Sequence, residues 1–239
     1  MFTIMLVAAS CHTATRGSTV YTLGTSAREF DSGVLNQGFW CNTGINADSN
    51  DNYIIALWYS GPFEPFPQGI ISRAFFTFDL SGINGTIQSA TLLLRRGDSR
   101  SPNPTETLSF WDVQTPVGVL NDNVGNSASI ADDLGSGNNY GYFQVSMVGP
   151  ASEVLPFTLN ATAIADLNAG LGNYFSIGGS MEGQPAPGID RHIFGVSQGF
   201  AAFLEVTVVP EPSAAALIVV FALSSEVVRR RRHSQSGRG

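Results

Sequence analysis

Residues 73–95 read RAFFTFDLSGINGTIQSATLLLR, and this stretch constrains the fold more than any other. Arg73–Leu80 alternates apolar and polar positions, as a half-buried strand does. Ser81–Gly85 then supplies a turn, with Asn84-Gly85 a strong turn dipeptide. Ser89–Arg95 returns as a second strand. Side chains that alternate with period two need a partner layer to cover one face. Further short runs rich in β-branched and aromatic residues follow the same rule: Thr19–Leu23, Asn52–Tyr59, Leu108–Val113, Gly141–Met147, Leu155–Leu159, Tyr174–Ile177, His192–Val196 and Phe203–Val209. Long loops are expected at Pro62–Gly69, Gly97–Thr105 and Asn121–Asn139, where Gly, Pro, Asn and Asp concentrate.

One segment departs from this pattern. In Asn160–Leu171 the residues Ala161, Ile164, Ala165 and Leu167 follow helical spacing, and Gly170 or Gly172 can end the helix. The expectation is an all-β fold, a β-sandwich or jelly roll over residues 14–208, with one short connecting helix.

Composition narrows the setting. The 239-residue chain is 43% hydrophobic but only 13% charged, and it contains no lysine. Low charge with abundant Gly, Asn, Ser and Thr suits an extracellular β domain. Up to residue 210 there are seven arginines against seventeen carboxylates. An acidic body is repelled by phosphate backbones, so nucleic acid is not an expected partner. Cys11 and Cys41 are the two cysteines. They can pair in an oxidising compartment if Cys11 survives processing; otherwise Cys41 is a lone thiol.

The two ends read as addresses. Residues 1–13 are expected to form a degenerate or truncated signal peptide: Met1–Ser10 is apolar with small residues at Ala8, Ala9 and Ser10, but no lysine or arginine precedes Arg16. At the other end, Pro210-Glu211-Pro212 is followed by the apolar run Ala214–Leu223 and the cluster Arg229, Arg230, Arg231 and Arg232. Pro210 and Pro212 lack N–H donors and impose an extended, protease-accessible break. Ser213 can cap a single hydrophobic helix starting at Ala214. That helix is shorter than the ~20 residues that usually span a bilayer. Residues 233–239 are expected to form a disordered tail.

Residues 209–232 resemble the PEP-CTERM sorting signal of exported bacterial proteins, with all three parts in order. The resemblance implies that an exosortase recognises Pro210, Glu211 and Pro212 and removes the helix and arginines. It further implies that the protein is held in the inner membrane before processing and reaches the cell surface or the extracellular space afterwards. The runs RAFFTFDLSGINGTIQSATLLL, LSFWDVQTPV and LNATAIADLNAGLGNYFSIGG resemble a β-sandwich module of PEP-CTERM proteins, similar in outline to secreted carbohydrate-binding-like jelly rolls. No catalytic motif comes with it.

Few residues carry chemistry of their own. Asp190-Arg191-His192 could pair a base with an orienting carboxylate, although a single histidine at a strand start also reads as structural. Asp132-Asp133, or Asp79 with Asp112, offer paired carboxylates of the kind any acidic chain contains. Asp48, Asn50 and Asn52 place oxygen ligands at alternate positions, as calcium loops do, and calcium is the one metal expected. The same residues also read as a solvated turn. Trp40, Trp58, Trp111, Tyr59, Phe63 and Phe66 could form a sugar-stacking platform, but they also read as core, Trp111 above all because it lies inside its strand. The reading is a non-enzymatic exported surface or matrix protein without a cofactor, working among exopolysaccharide. The alternative is a carbohydrate-binding module or carbohydrate-active enzyme.

Overall fold

A computed structural model describes residues 17–26, 30, 35–43, 51–58, 69–125 and 127–210. Strands account for 49% of the described residues and helices for 12%, so this part of the protein is mostly β-sheet, with a curled sheet. The strands are β1 (Thr19–Gly24), β2 (Gln37–Cys41), β3 (Ile55–Trp58), β4 (Ile70–Asp79), β5 (Thr86–Arg95), β6 (Asp98–Arg100), β7 (Thr105–Asp112), β8 (Asn139–Ser146), β9 (Val154–Thr158), β10 (Tyr174–Met181), β11 (Arg191–Gly195) and β12 (Phe203–Val209). Among the described residues three helices join them: α1 (Val117–Asp122), α2 (Ala128–Asp133) and α3 (Ala161–Ala169).

Two antiparallel sheets form. The smaller has the order β1-β12-β5-β9; the larger runs β6-β11-β3-β4-β10-β7-β8, with β2 also paired to β4. One core joins them. Ala90, Leu92 and Leu94 of β5, Phe157 of β9 and Leu204, Val206 and Val208 of β12 pack with Phe76, Phe78, Leu108, Phe110 and Ile177 of the larger sheet. Alternation fixes this register because a one-residue slip would turn each row outward. It slips once by design. Ile87 and Ala90 both face the core although three apart, and the β5–β12 pairing shifts between Thr207 and Val208 to absorb the extra residue.

The expected strands appear, with shifted ends. The single expected helix is α3, with Asn160 Oδ1 accepting from Ala163 N and Gly170 at its C-cap. The expectation of one helix is corrected, because α1 and α2 occupy the stretch read as the loop Asn121–Asn139 and the residues before it. Each is six residues long, too short to show a period. They are held by what they cover. Leu120, Ala131 and Leu134 bury Trp40 and Phe75 on the outer face of the larger sheet. Trp40 Nε1 donates to Leu120 O at 3.0 Å. Arg73 donates to the carbonyl of Ala131 and to Asp132 Oδ1, placing a cation at the C-terminal end of α2. Gly178 lets this excursion sit close, since a Cβ there would meet the Leu134 backbone at 2.7 Å.

β6 lies in the stretch expected to be the loop Gly97–Thr105, and β2 is not among the expected strands. β6 is three residues and β2 contains Gly38, so neither carries a strong strand pattern. Among the described residues no helix is long and apolar enough to cross a membrane. The expected C-terminal helix, Glu211, Pro212 and Arg229–Arg232 lie outside the described residues, as do Cys11 and the signal segment 1–13.

Candidate functional site

A cleft of about 560 Å³ opens where three connections meet at one end of the sheets. The β5–β6 turn contributes Arg95, Gly97 and Asp98. The β8–β9 connection contributes Met147 and Val148, and the β11–β12 connection contributes Val196 and Phe200. The volume is that of a small-ligand site. A second hollow of about 280 Å³, lined by Leu93, Val154, Gly199 and Phe203, shares Arg95 and Phe200 with the first. Between the two, the Arg95 guanidinium carbon lies 3.5 Å from the Phe200 ring centroid, a cation–π stack.

Buried polar groups hold this end in place. Thr25 Oγ1 donates to Gln37 Oε1 at 2.6 Å, and Gln37 Nε2 donates to Phe200 O at 2.9 Å and Asp51 O at 3.0 Å. Ala202 N donates to Gln37 Oε1 at 2.9 Å. Asp51 Oδ1 accepts from Gly199 N at 2.9 Å. Asn52 Oδ1 accepts from Ser197 N at 3.0 Å and from the Ser197 hydroxyl. The connection that presents Phe200 is therefore fixed by side chains from β2 and from the approach to β3. Tyr53 is fully buried, and its hydroxyl accepts from Arg95 N at 3.2 Å. Burial, opposed in part by Arg95 and reinforced by Asp51, pushes the Tyr53 phenol up to about 12.

The backbone here is strained. Phe194 has φ 64° and Val196 has φ 57°, on either side of Gly195. A β-branched residue in the left-handed region is a marked outlier. The cause is a tight crossing. Gly97, at φ 61°, lies so close to the Gly195 carbonyl that a Cβ on it would collide with that oxygen. The β6–β11 register also shifts between His192 and Gly195.

His192 sits beside this crossing. Its Nε2 lies 3.3 Å from Asp98 Oδ2, so the carboxylate that faces it is Asp98 rather than the expected Asp190. Its ring meets Trp58 edge-on, centroids 6.5 Å apart. Arg191 instead pairs with buried Glu106: Nε donates to Oε1 at 2.9 Å and Nη2 to Oε2 at 2.5 Å. Burial pushes the Glu106 carboxyl up, but hydrogen bonds from Arg191, Ser101 and Asn103 and the Arg191 charge outweigh it and hold the group below its usual range.

A second, polar cleft of about 210 Å³ brings Asp112 and Asp166 together with Gln114, Asn138, Tyr174 and Phe175. The pairing expected for Asp112, with Asp79, does not form this site; Asp79 Oδ1 caps the turn at Ser81 N, 2.8 Å away. Asp112 Oδ2 accepts from Gln114 Nε2 at 2.7 Å, and Asp166 Oδ2 accepts from the Tyr140 hydroxyl at 3.0 Å. Burial first, then the Asp166 charge and hydrogen bond and the Asp112 charge, raise the Tyr140 phenol far above its usual range. It is a fixed donor, not a base. Asp132 and Asp133 serve separate ends: Asp132 binds Arg73, while Asp133 Oδ2 accepts from Thr115 N at 2.7 Å and from the Thr115 hydroxyl at 2.6 Å.

The remaining sequence candidates scatter. Tyr59, Phe63, Phe66, Asp48 and Asn50 lie outside the described residues. Asn52 is the one proposed calcium ligand described, and it binds Ser197. Pro210 directly follows β12. Trp40 is buried beneath α1 and α2, and Trp58 packs beside Phe39, Cys41 and Ile70. Trp111 departs from its core reading: Leu108 and Phe110 face the core, and Trp111 is half-buried on the opposite side of β7. Cys41 is buried with Sγ 3.1 Å from Ser72 Oγ; burial raises its thiol pKa, partly opposed by that contact. Among the described residues no three of His, Cys, Asp and Glu converge as a metal site. No family model and no curated protein matches the chain.

Proposed function

We propose that the chain is an exported bacterial surface or matrix protein that carries a jelly-roll body and is sorted through Pro210-Glu211-Pro212 by an exosortase. The reading is supported by where the motif falls. β12 lies between β1 and β5 in the smaller sheet and ends at Val209. Its last apolar residue in the core is Val208. The motif thus starts one residue after the last packed strand, and a cut beyond it leaves both sheets whole. The jelly-roll assignment is supported by two antiparallel sheets around one core, whose sequence-distant strands β1 and β12 pair. The body acts without catalysis and works among extracellular polysaccharide.

Cell fractionation with C-terminal mass spectrometry of the native protein tests the sorting. The expected result is a surface or extracellular form that ends near Pro212 and lacks Arg229–Arg232. Glu211→Ala should leave the tail uncut and the protein in the membrane fraction. An intact tail on a cytosolic protein overturns the proposal.

A further inference from the structure

We infer that the outer face of β8, β7 and β10 is a binding site for a neutral polysaccharide. This deepens the reading of the body as extracellular and rests on it for the source of the ligand, but not on any cut at the tail.

The face follows from the strand register. Phe143 and Val145 of β8, Leu108 and Phe110 of β7, and Ile177 and Met181 of β10 point into the core. Their neighbours point the other way. Tyr142 stands opposite Ser109, Gln144 opposite Thr107, and Ser180 opposite Ser109 on the far side. Glu182 N donates to Thr107 O at 2.9 Å, so Glu182 continues that row. Trp111, Tyr142, Gln144, Thr107 and Glu182 therefore share one surface, with Ser109 and Ser180 buried beneath the indole.

Its composition selects among occupants. It has two aromatic rings, hydroxyls, an amide and a carboxylate, and no aliphatic side chain. A protein interface centres on a desolvated apolar core, which this row lacks. β7, β8 and β10 also carry no arginine, and the chain has no lysine. The nearest cation on this side, Arg73 of β4, is already held by Asp132 and the Ala131 carbonyl, so an anionic glycan or nucleic acid would meet Glu182 with no free cation beside it. A neutral sugar ring has an apolar C–H face and a rim of hydroxyls, and it matches both parts of the surface. The electron-rich ring faces meet its C–H bonds and the polar groups meet its hydroxyls.

The aromatic corner is pre-set. Tyr142 is 59% exposed, and its ring stands at 88° to Trp111 with centroids 6.0 Å apart. Trp111 Nε1 donates inward to Ser109 Oγ at 2.9 Å and Ser180 Oγ at 3.3 Å, which fixes the indole. Ser109 Oγ donates to Glu182 Oε1 at 2.6 Å and steadies the carboxylate. Groups held this way lose little freedom on binding. Gly178 pairs with Trp111, and the Leu134 backbone packs over Gly178, so the end of α2 raises a wall beside the indole.

Affinity electrophoresis of the full-length chain through gels containing hydroxyethylcellulose, xylan, galactomannan or dextran, with alginate as the anionic comparison, tests the site. At least one neutral polymer should retard the protein, and alginate should not. Tyr142→Ala should weaken retardation about tenfold, the size of one lost aromatic contact. Trp111→Phe removes the fixing hydrogen bonds and should weaken it less. Tyr142 is exposed, so an unchanged melting temperature separates lost binding from lost folding. No retardation by any neutral polymer overturns the proposal. So does retardation that Tyr142→Ala leaves unchanged, or a preference for alginate. Size-exclusion chromatography of the same samples supplies a further check: a dimer that Tyr142→Ala dissolves gives the face to a second copy and overturns it too. None of these outcomes bears on sorting, which fractionation reads separately.

Discussion

Phe200 and Tyr142 are both partly exposed aromatic rings, at 44% and 59%, yet the chain holds them by different means. Phe200 sits on a connection whose backbone is clamped by Gln37, Asp51 and Ser197 and which begins beside two left-handed residues, Phe194 and Val196. Tyr142 sits on a regular strand, and the register of β7 and β8 alone decides which way it faces. The first arrangement depends on many long-range contacts and loses its shape when one fails. The second tolerates change at its own surface because the core row beneath it carries the stability. The end cleft should therefore be fragile to substitution, and the sheet face should be fragile only in what it binds.

The largest effect that separates the two belongs to Gly97. Gly97→Ala puts a Cβ against the Gly195 carbonyl and a side chain at φ 61°. Left-handed geometry alone costs about 1–2 kcal/mol, and the backbone collision adds to it. Thermal unfolding should show a loss of about 3 kcal/mol or more. Tyr142→Ala should stay within about 0.5 kcal/mol. Equal losses for the two variants would erase the contrast.

A somewhat smaller effect is expected at Glu106, which lies on β7 between the two regions. Glu106→Gln leaves the Arg191 guanidinium without its anion, at about 3 kcal/mol or less given that Arg191 keeps its bond to Glu182 O. The pH dependence has a definite sign. The folded carboxyl lies below its unfolded value of ~4.3, so its contribution is present above that pH and disappears as pH falls through the folded pKa. Wild-type unfolding free energy should decline through this acid window, and Glu106→Gln should decline less. At the alkaline end the cleft answers through Tyr53. Its phenol is raised to about 12, so stability present below the unfolded value of ~10 is lost as pH rises towards 12. Tyr53→Phe should flatten that loss, at the expense of about 1 kcal/mol at neutral pH for the Arg95 N–H left without its acceptor. An alkaline limb unchanged in Tyr53→Phe would remove Tyr53 as its source.

The same contrast decides what was legible in the sequence. RAFFTFDL and LSFWDV alternate, and both became strands near the expected bounds. Asn160 and Gly170 bracket α3 because capping is a local preference. α2 has the local cap of Ser127 Oγ on Ile130 N but only six residues to mark it. α1 carries no side-chain cap, and its reason lies eighty residues away, in Trp40 Nε1 and the Leu120 carbonyl. The end cleft was missed for the same reason. Asn52 looked like a cation ligand, and Asp51 beside it drew no reading, because their partners, Ser197 and Gly199, are contributed by a distant connection. Trp111 was read as core because it lies inside the apolar run of its strand. The alternation was present in the sequence, since Leu108 and Phe110 on the opposite parity already fill the core, and counting parity would have turned the indole outward.

The smallest effect has the opposite sign. Val196 is 75% exposed, so its side chain contributes little packing, while φ 57° strains a β-branched residue. Val196→Gly removes that strain, which is of order 1–3 kcal/mol. It also adds freedom to the unfolded chain, at a cost of roughly 0.5–1 kcal/mol. The balance is a gain of about 0.5 kcal/mol or more, read as a higher melting temperature. Natural chains keep strained residues where the surrounding structure needs them, and this one lies on the rim of the end cleft. Val148→Gly on the same rim has no strain to release and should lower the melting temperature slightly. If Val196→Gly also lowers it, the crossing at Gly97 and Gly195 is relaxed, and the end cleft differs from the sheet face only in its hydrogen bonds.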